Sequence, residues 1–370
     1  MEIKKTVQQW VRFHLIKHWY EKYERILLPA TLVCGVLLDA FTFKNISIGT
    51  TFLLLGIYFI VSGGAIVYLS AYDAKRVPHK RVLGYIRLFT PLLLQITFGA
   101  LLSGVFIFFF FSGTIFVSWP FILILVLLMV SNDVFRCYYL KPLVQVSVYF
   151  FIVFSGLSIA LPFLFNSLSV WIFVGGGVTS LIFIGLYIYV ITRIAPELKK
   201  QSVNFLLSIL AIFVFINGLY FLNIIPPIPL SIREATVSHG VVRNSGVYVL
   251  RVEDESVWDR IMPGQVFHKA LEESVSVYTA IFAPKNLNTK IIHDWQWYDE
   301  VKKEWVSKDK LSFTLTGGRR EGFRGYSTKT TVPNGHWRVY VKTDRGQVLG
   351  RVSFDVTSSV ENMTLKNVLK

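Results

Sequence analysis

The chain has 370 residues, 53% of them hydrophobic and 16% charged, with a formal net charge of +15. That charge does not point to nucleic acid: the first 230 residues hold 17 basic and 7 acidic side chains and the remainder 21 and 16, so two thirds of the excess lies in the apolar half. The only cysteines are Cys34 and Cys137, which excludes a disulfide framework for the last 140 residues.

Residues 1–25 come first and are basic. Val7, Trp10, Val11, His14 and His18 share one helical face among lysines, the pattern of an amphipathic helix lying on the inner leaflet. Seven apolar runs follow within 26–225, near 26–43, 47–70, 89–111, 115–135, 142–163, 170–192 and 203–225. Each approaches the roughly 20 residues that span a bilayer as a helix, and helices are the only form that satisfies such backbones in lipid. The first run has no small-residue cleavage site after it and reads as an uncleaved anchor.

Basic residues cluster in the N-terminal segment, between runs two and three (Lys75, Arg76, Lys80, Arg81, Arg87), between four and five (Arg136, Lys141) and between six and seven (Arg193, Lys199, Lys200). The alternate loops hold only Lys44. Positive loops stay inside, so seven spans with a cytoplasmic N-terminus predict an extracytoplasmic C-terminal domain. All seven histidines lie outside the runs. The candidate polar positions in the membrane region are Asp39, Asp133, Asn132 and Asn217, the two acids near span ends, where terminal charges reach the interface.

The Pro-rich stretch Pro226–Leu230 reads as a stiff linker into 231–370. There, Ser274 to Ala283 is a β-rich run, and alternation puts Ile291, His293, Trp295 and Trp297 on one face and Leu311, Phe313 and Leu315 on another. Gly322 to Lys329, His336 to Thr343 and Val348 to Val356, punctuated by Pro333-Asn334-Gly335 and Asp344-Arg345-Gly346, predict an antiparallel meander. The predicted fold is an α-helical membrane bundle of seven transmembrane helices followed by an all-β, immunoglobulin-like sandwich.

In that meander Trp337, Val339, Val341, Val348, Val352, Phe354 and Val356 face a core. The opposite face would carry Arg324, Tyr326, Arg338, Tyr340, Lys342 and Arg351, residue types that hold phosphate, carboxylate or sugar rings, or merely shield a solvated sheet. His293 and Asp294 are adjacent on a strand and so point to opposite faces, which makes His293 a core histidine and not half of a catalytic pair. Gly317, Gly318, Arg319 and Arg320 have the composition of an anion-binding nest or of a glycine turn with solvated arginines.

The run Ile224 to Leu230 leading into the outer domain, Phe282-Ala283-Pro284-Lys285-Asn286-Leu287, His293-Asp294-Trp295-Gln296, Gly317-Gly318-Arg319, Gly325-Tyr326-Ser327 and Gly335-His336-Trp337-Arg338-Val339 together resemble bacterial proteins carrying Domain of Unknown Function 2914. The resemblance implies a bacterial envelope setting and carries no activity or functional residues with it. No cofactor motif is present. The expected function is a non-catalytic, membrane-held binding or sensing module that recognises an anionic envelope glycan or lipid, or a partner protein. The alternatives are a transporter or membrane enzyme for a lipid-linked envelope substrate, and a scaffold.

Overall fold

A computed structural model of the chain describes residues 37, 39, 41, 48–76, 81–112, 115–135, 138–244, 246–253, 265–270, 273–285, 287–318, 321–358 and 365–370. Six long helices occupy the N-terminal part: α1 (Ile48–Asp73), α2 (Arg81–Ser112), α3 (Ile115–Val134), α4 (Pro142–Phe165), α5 (Val170–Ile194) and α6 (Ser202–Phe221). Five stretches are long and apolar enough to cross a membrane, and α3 contributes the shorter apolar stretch Val117–Asn132. Among the described residues, five to six helices therefore stand against the predicted seven. Most of the first predicted span, with the amphipathic segment before it, lies outside the described residues.

These helices are apolar on every side, and large side chains stand exposed around them, among them Leu53, Ile60, Phe89, Leu127, Ile182 and Leu206. Water would not tolerate such a surface; a hydrocarbon solvent would. Contacts divide the chain into two compact units, the first formed by Met1–Ile107, Leu123–Val153 and Leu181–Ile212, the second by Phe108–Ile122, Phe154–Ser180 and Phe213–Lys370.

Rings fill the first unit. Tyr149 stacks on Phe59 at 4.9 Å and lies 5.1 Å from Tyr187, and the two phenols donate to carbonyls of α1, Tyr149 to Phe59 at 3.2 Å and Tyr187 to Gly63 at 2.6 Å. Gly63 is required by this approach, since a Cβ there would sit 2.5 Å from the Tyr149 hydroxyl. Gly63→Ala should lower the detergent melting temperature of the full chain, by about 1–3 kcal/mol of overpacking. Adding Tyr149→Phe, which removes the clashing oxygen, should return part of that loss; strictly additive losses would refute the contact.

The second unit contains eleven strands, β1 (Ser231–Ser238), β2 (Gly240–Asn244), β3 (Val247–Glu253), β4 (Gln265–Lys269), β5 (Val275–Phe282), β6 (Asn288–Asp299), β7 (Glu304–Thr316), β8 (Phe323–Lys329), β9 (Gly335–Thr343), β10 (Val348–Ser358) and β11 (Leu365–Leu369). They form sheets of order β1-β5-β8, β4-β10-β9-β6-β7 and β11-β3-β2. All described pairings are antiparallel except β4 with β10.

The sheet β1-β5-β8 is the middle layer. Val275 and Val277 of β5 join Trp295, Trp337, Val339, Phe354 and Val356 of the five-stranded sheet in one buried cluster. Tyr278 and Ala280, on the other face of β5, pack on Tyr248 and Leu250 of β3. β5 is buried at every position but its last, so its residues are mostly apolar, and the two buried hydroxyls it carries are hydrogen-bonded, Ser276 to Thr328 and Thr279 to His293.

Two sequence expectations change here. β8 pairs with β5, not with β9, so the predicted meander is broken: Val332 is buried in the core, and 330–334 carry the chain from one sheet to the other. The stretch read as a linker is no free spacer either. Residues 225–230 are all buried, and Leu230 belongs to a cluster with Ile281, Ala283, Leu287 and Ile291, against which Leu168 of the α4–α5 connection packs. The segment is apolar, and burial next to other apolar groups is its favourable state.

Candidate functional site

The candidate face lies on the five-stranded sheet, on the side away from the core. Register sets Asp294 opposite Tyr340, Gln296 opposite Arg338, and Tyr340 opposite Arg351. The Arg338 guanidinium lies 4.1 Å from the Trp305 ring centre and 5.0 Å from that of Tyr340, and its Nε donates to Gln296 Oε1 at 2.8 Å. Lys342 stands 5.0 Å over the other neighbour of the series, Tyr340, and donates to Asp294 Oδ2 at 2.5 Å. Rings and cations thus alternate as Trp305, Arg338, Tyr340, Lys342 across β7 and β9.

Asp294 anchors this ladder. Its carboxylate is nearly inaccessible and also accepts from Ser307 at 2.6 Å and Gln296 at 2.8 Å. Burial pushes its pKa up, but the Lys342 ammonium and the Ser307 and Gln296 donors outweigh burial and hold it below the usual carboxylate range. Asp294, Gln296, Ser307 and Trp305 were not singled out as ladder members from sequence. The signal that finds them is the position of each on the β6–β7 hairpin once its register is known.

The other candidate residues are elsewhere. Arg324 and Tyr326 lie on β8, in the middle sheet, so they do not extend the face. Arg324 donates to Glu321 at 2.7 Å and Tyr326 packs edge-on against Tyr248. In the supposed nest, the Gly317 N–H donates to the Leu287 carbonyl at 2.8 Å and the Gly318 N–H to that of Ala283 at 3.1 Å. Both donors are spent on backbone, so they form no anion cradle; Arg319 and Arg320 lie outside the described residues.

In the membrane region, Asn217 donates to the Phe213 carbonyl of its own helix at 2.8 Å, and Asn132 donates to Gln95 O at 3.0 Å while its Oδ1 is buried without a partner. Asp39 is half-buried beside Ser103, and Asp133 falls in the last turn of α3. Among the described residues no group of three His, Cys, Asp or Glu is placed to hold a metal.

His293 is sealed in the core. Its Nδ1 lies 2.8 Å from Ser327 Oγ and its Nε2 3.1 Å from Thr279 Oγ1, while Trp295 Nε1 donates to Ser327 at 2.9 Å. One assignment satisfies every group: Trp295 donates to Ser327, Ser327 to Nδ1, Nε2–H to Thr279, and Thr279 to the Gly325 carbonyl at 3.5 Å. The ring is then neutral, and burial lowers its pKa to about 4. Gly325 completes the packing, because a Cβ there would run into the Phe313 ring.

A second polar cluster joins the β1–β2 turn to β3 and β4. His239 is buried, with Nε2 3.2 Å from Glu253 and Nδ1 3.0 Å from Glu273 though poorly aligned with it, and His268 Nδ1 lies 2.9 Å from Glu253. Burial pulls the His239 pKa down, and the two carboxylates outweigh burial and leave it raised.

Comparison with known proteins reaches only part of the chain. A family model described as "Protein of unknown function (DUF2914)" matches residues 288–356. The match covers β6 through most of β10, hence the whole ladder. No curated protein matches. Among solved structures, a beta-glucosidase from Listeria innocua in complex with gluconolactone aligns at 14% identity and TM-score 0.20 over 35% of this chain and 16% of that one. The DNA-bound alkylpurine DNA glycosylase AlkC of Pseudomonas fluorescens aligns at 10% identity and TM-score 0.22 over 81% and 99%. Similarity this low carries no argument about function.

Proposed function

We propose that the chain is a multi-pass protein of a bacterial inner membrane whose extracytoplasmic β domain is a non-catalytic recognition module for a partner protein with an acidic surface. The strand order supports an immunoglobulin-like reading of the middle and five-stranded sheets: β1-β5-β8 fill the places of strands A, B and E, and β6, β9 and β10 those of C, F and G, with Trp295 as the buried tryptophan of strand C.

The observation that carries the functional reading is the ladder. Trp305 and Tyr340 have ring faces taken by Arg338 and Lys342, so a sugar ring has little face to stack on, and the cations already have partners, which disfavours a simple phosphate or carboxylate ligand. What the surface offers is Trp, Tyr and Arg, half-buried and fixed in one arrangement. Those are the residue types that dominate protein interfaces, and ordering them beforehand spares entropy on binding. Arg338, Lys342 and Arg351 against Asp294 leave a positive potential over this face, which suits the broad acidic surface of a protein without any cation giving up the partner it has.

The transport or membrane-enzyme reading draws no support from polar positions whose amides bond to backbone, or from a first unit packed with rings.

The test uses the full chain in nanodiscs as bait for an envelope protein extract, followed by titration of the purified captured protein. Trp305→Ala and Arg338→Glu should each weaken binding about thirtyfold, the scale of an interface hot spot. Arg324→Glu, in the other sheet, should leave it unchanged. Equal weakening by all three, or capture of glycans in place of protein, would sink the reading.

A further inference from the structure

We infer that the β domain has a second contact surface, independent of the ladder: an exposed cationic set, Arg233, Lys285 and Lys290, at the end of the domain next to the helix termini, which binds anionic phospholipid headgroups of the bilayer that holds the helices.

The position of this end follows from packing within the second unit. Leu168, in the connection between α4 and α5, packs on the cluster that contains Leu230, Ala283, Leu287 and Ile291. The strand ends bearing those residues therefore lie at the level of helix termini. Trp171, in the first turn of α5 and three residues after Leu168, is 81% exposed. An indole exposed at a helix end belongs to the membrane–water interface, where its ring and N–H suit the headgroup layer. The three cations are placed around the same cluster: Arg233 follows Leu230 by three positions, Lys285 sits in the loop between Ala283 and Leu287, and Lys290 precedes Ile291.

Each of the three is exposed. The β1–β5 register slips between Ile232 and Glu234, so Arg233 sits in a bulge, its guanidinium 5.0 Å from the Phe282 ring centre. A bulge of this kind re-aims a side chain. No acidic partner is present for any of the three among the described residues. The acids nearby are engaged, Glu234 with Lys370 at 2.5 Å and Glu321 with Arg324 at 2.7 Å, and Arg345 is used on the Tyr220 hydroxyl. Asp344 is exposed in the β9–β10 turn. A guanidinium and two ammonium groups at headgroup depth match phosphate oxygens, bidentate for the arginine and as point charges for the lysines. Near an anionic surface each such cation strengthens the attraction about fivefold.

The test is native mass spectrometry of the full chain from mixed micelles of phosphatidylglycerol and phosphatidylcholine in equal amounts, reading the ratio of the two lipids retained. The triple variant Arg233→Gln, Lys285→Gln, Lys290→Gln should lose about tenfold or more of the phosphatidylglycerol enrichment, whereas Lys302→Gln with Lys303→Gln in the β6–β7 turn should lose none. Cytoplasmic-side cations give the same background in all three proteins. Lys285→Gln alone, in an exposed loop, should show a smaller fall and serves if the triple variant fails to fold. Unchanged enrichment, an equal fall in the β6–β7 variant, or equally tight retention of soluble inorganic phosphate without lipid would overturn the assignment. Loss of lipid selectivity with the ladder's protein binding intact separates the two surfaces.

Discussion

Trp295→Ala should deprive the full chain of a folded β domain, with peptides from β6 and β9 exchanging their amide hydrogens as freely as in denaturant. Trp295 is fully buried, meeting Trp337 at 6.3 Å and Phe354 at 6.1 Å, both edge-on. Removing so large a buried ring costs about 3–5 kcal/mol through lost transfer energy and the cavity left behind. The change also strips Ser327 of the donor that orders its hydroxyl toward His293, which adds roughly another 1 kcal/mol. Against the ~5–15 kcal/mol that holds a typical domain, that is enough to populate the unfolded form. Trp295→Phe keeps most of the ring and loses only the N–H, so its exchange should rise far less. Wild-type protection in the alanine variant would show that this tryptophan is not at the centre of the core.

The same residue shows what the sequence makes legible. Ile291, His293, Trp295 and Trp297 alternate with polar neighbours, and period-two alternation is enough to put them on one face and Asp294 on the other. The core side of β9 and β10 follows from the same rule except at Val348, which a register shift before Gly350 sets opposite Lys342 and not in line with Val352, Phe354 and Val356. Which strand lies beside which does not. Pro333-Asn334-Gly335 has turn chemistry, but a turn signal fixes a change of direction, not the sheet that receives the next strand, and β8 went to β5.

The ladder illustrates the same limit. Arg338, Tyr340 and Lys342 declare a basic aromatic face by spacing alone, yet what decides its chemistry is Asp294, Gln296 and Trp305, 48, 42 and 33 positions upstream of the cations they meet. Gly317-Gly318 was ambiguous because two free N–H groups and two bonded ones have the same sequence. Pro226–Leu230 was misread because stiffness and apolarity coexist there, and apolarity won.

Acid should weaken the β domain between pH 6.5 and pH 4, and His293 should be the cause. In the fold its pKa is about 4, against about 6.5 in an unfolded chain. Below pH 6.5 the unfolded state takes up a proton that the folded state refuses, so a contribution fully present above 6.5 drains away as pH falls to 4, about 3 kcal/mol in all. Protonation is refused for a structural reason beyond desolvation: Nδ1 accepts from Ser327, and a charged ring would need Ser327 to accept twice and redirect its own proton. The other groups do not share the upper part of this window, from pH 6.5 to about 5. His239 and His336 have raised values, so their contributions are complete below 6.5 and are lost only as pH rises through those values. Burial raises Glu253 and Asp294, hydrogen bonds and cations bring both below the carboxylate range, and their contributions fall away only in stronger acid. Urea midpoints of the full chain, followed by exchange in β6 and read from pH 7 to pH 4.5, should therefore fall steeply in the wild type. His293→Gln keeps a donor and an acceptor but has nothing to titrate, so its midpoints should start lower and stay flat over the same range. A parallel fall in both proteins would move the acid sensitivity to another group.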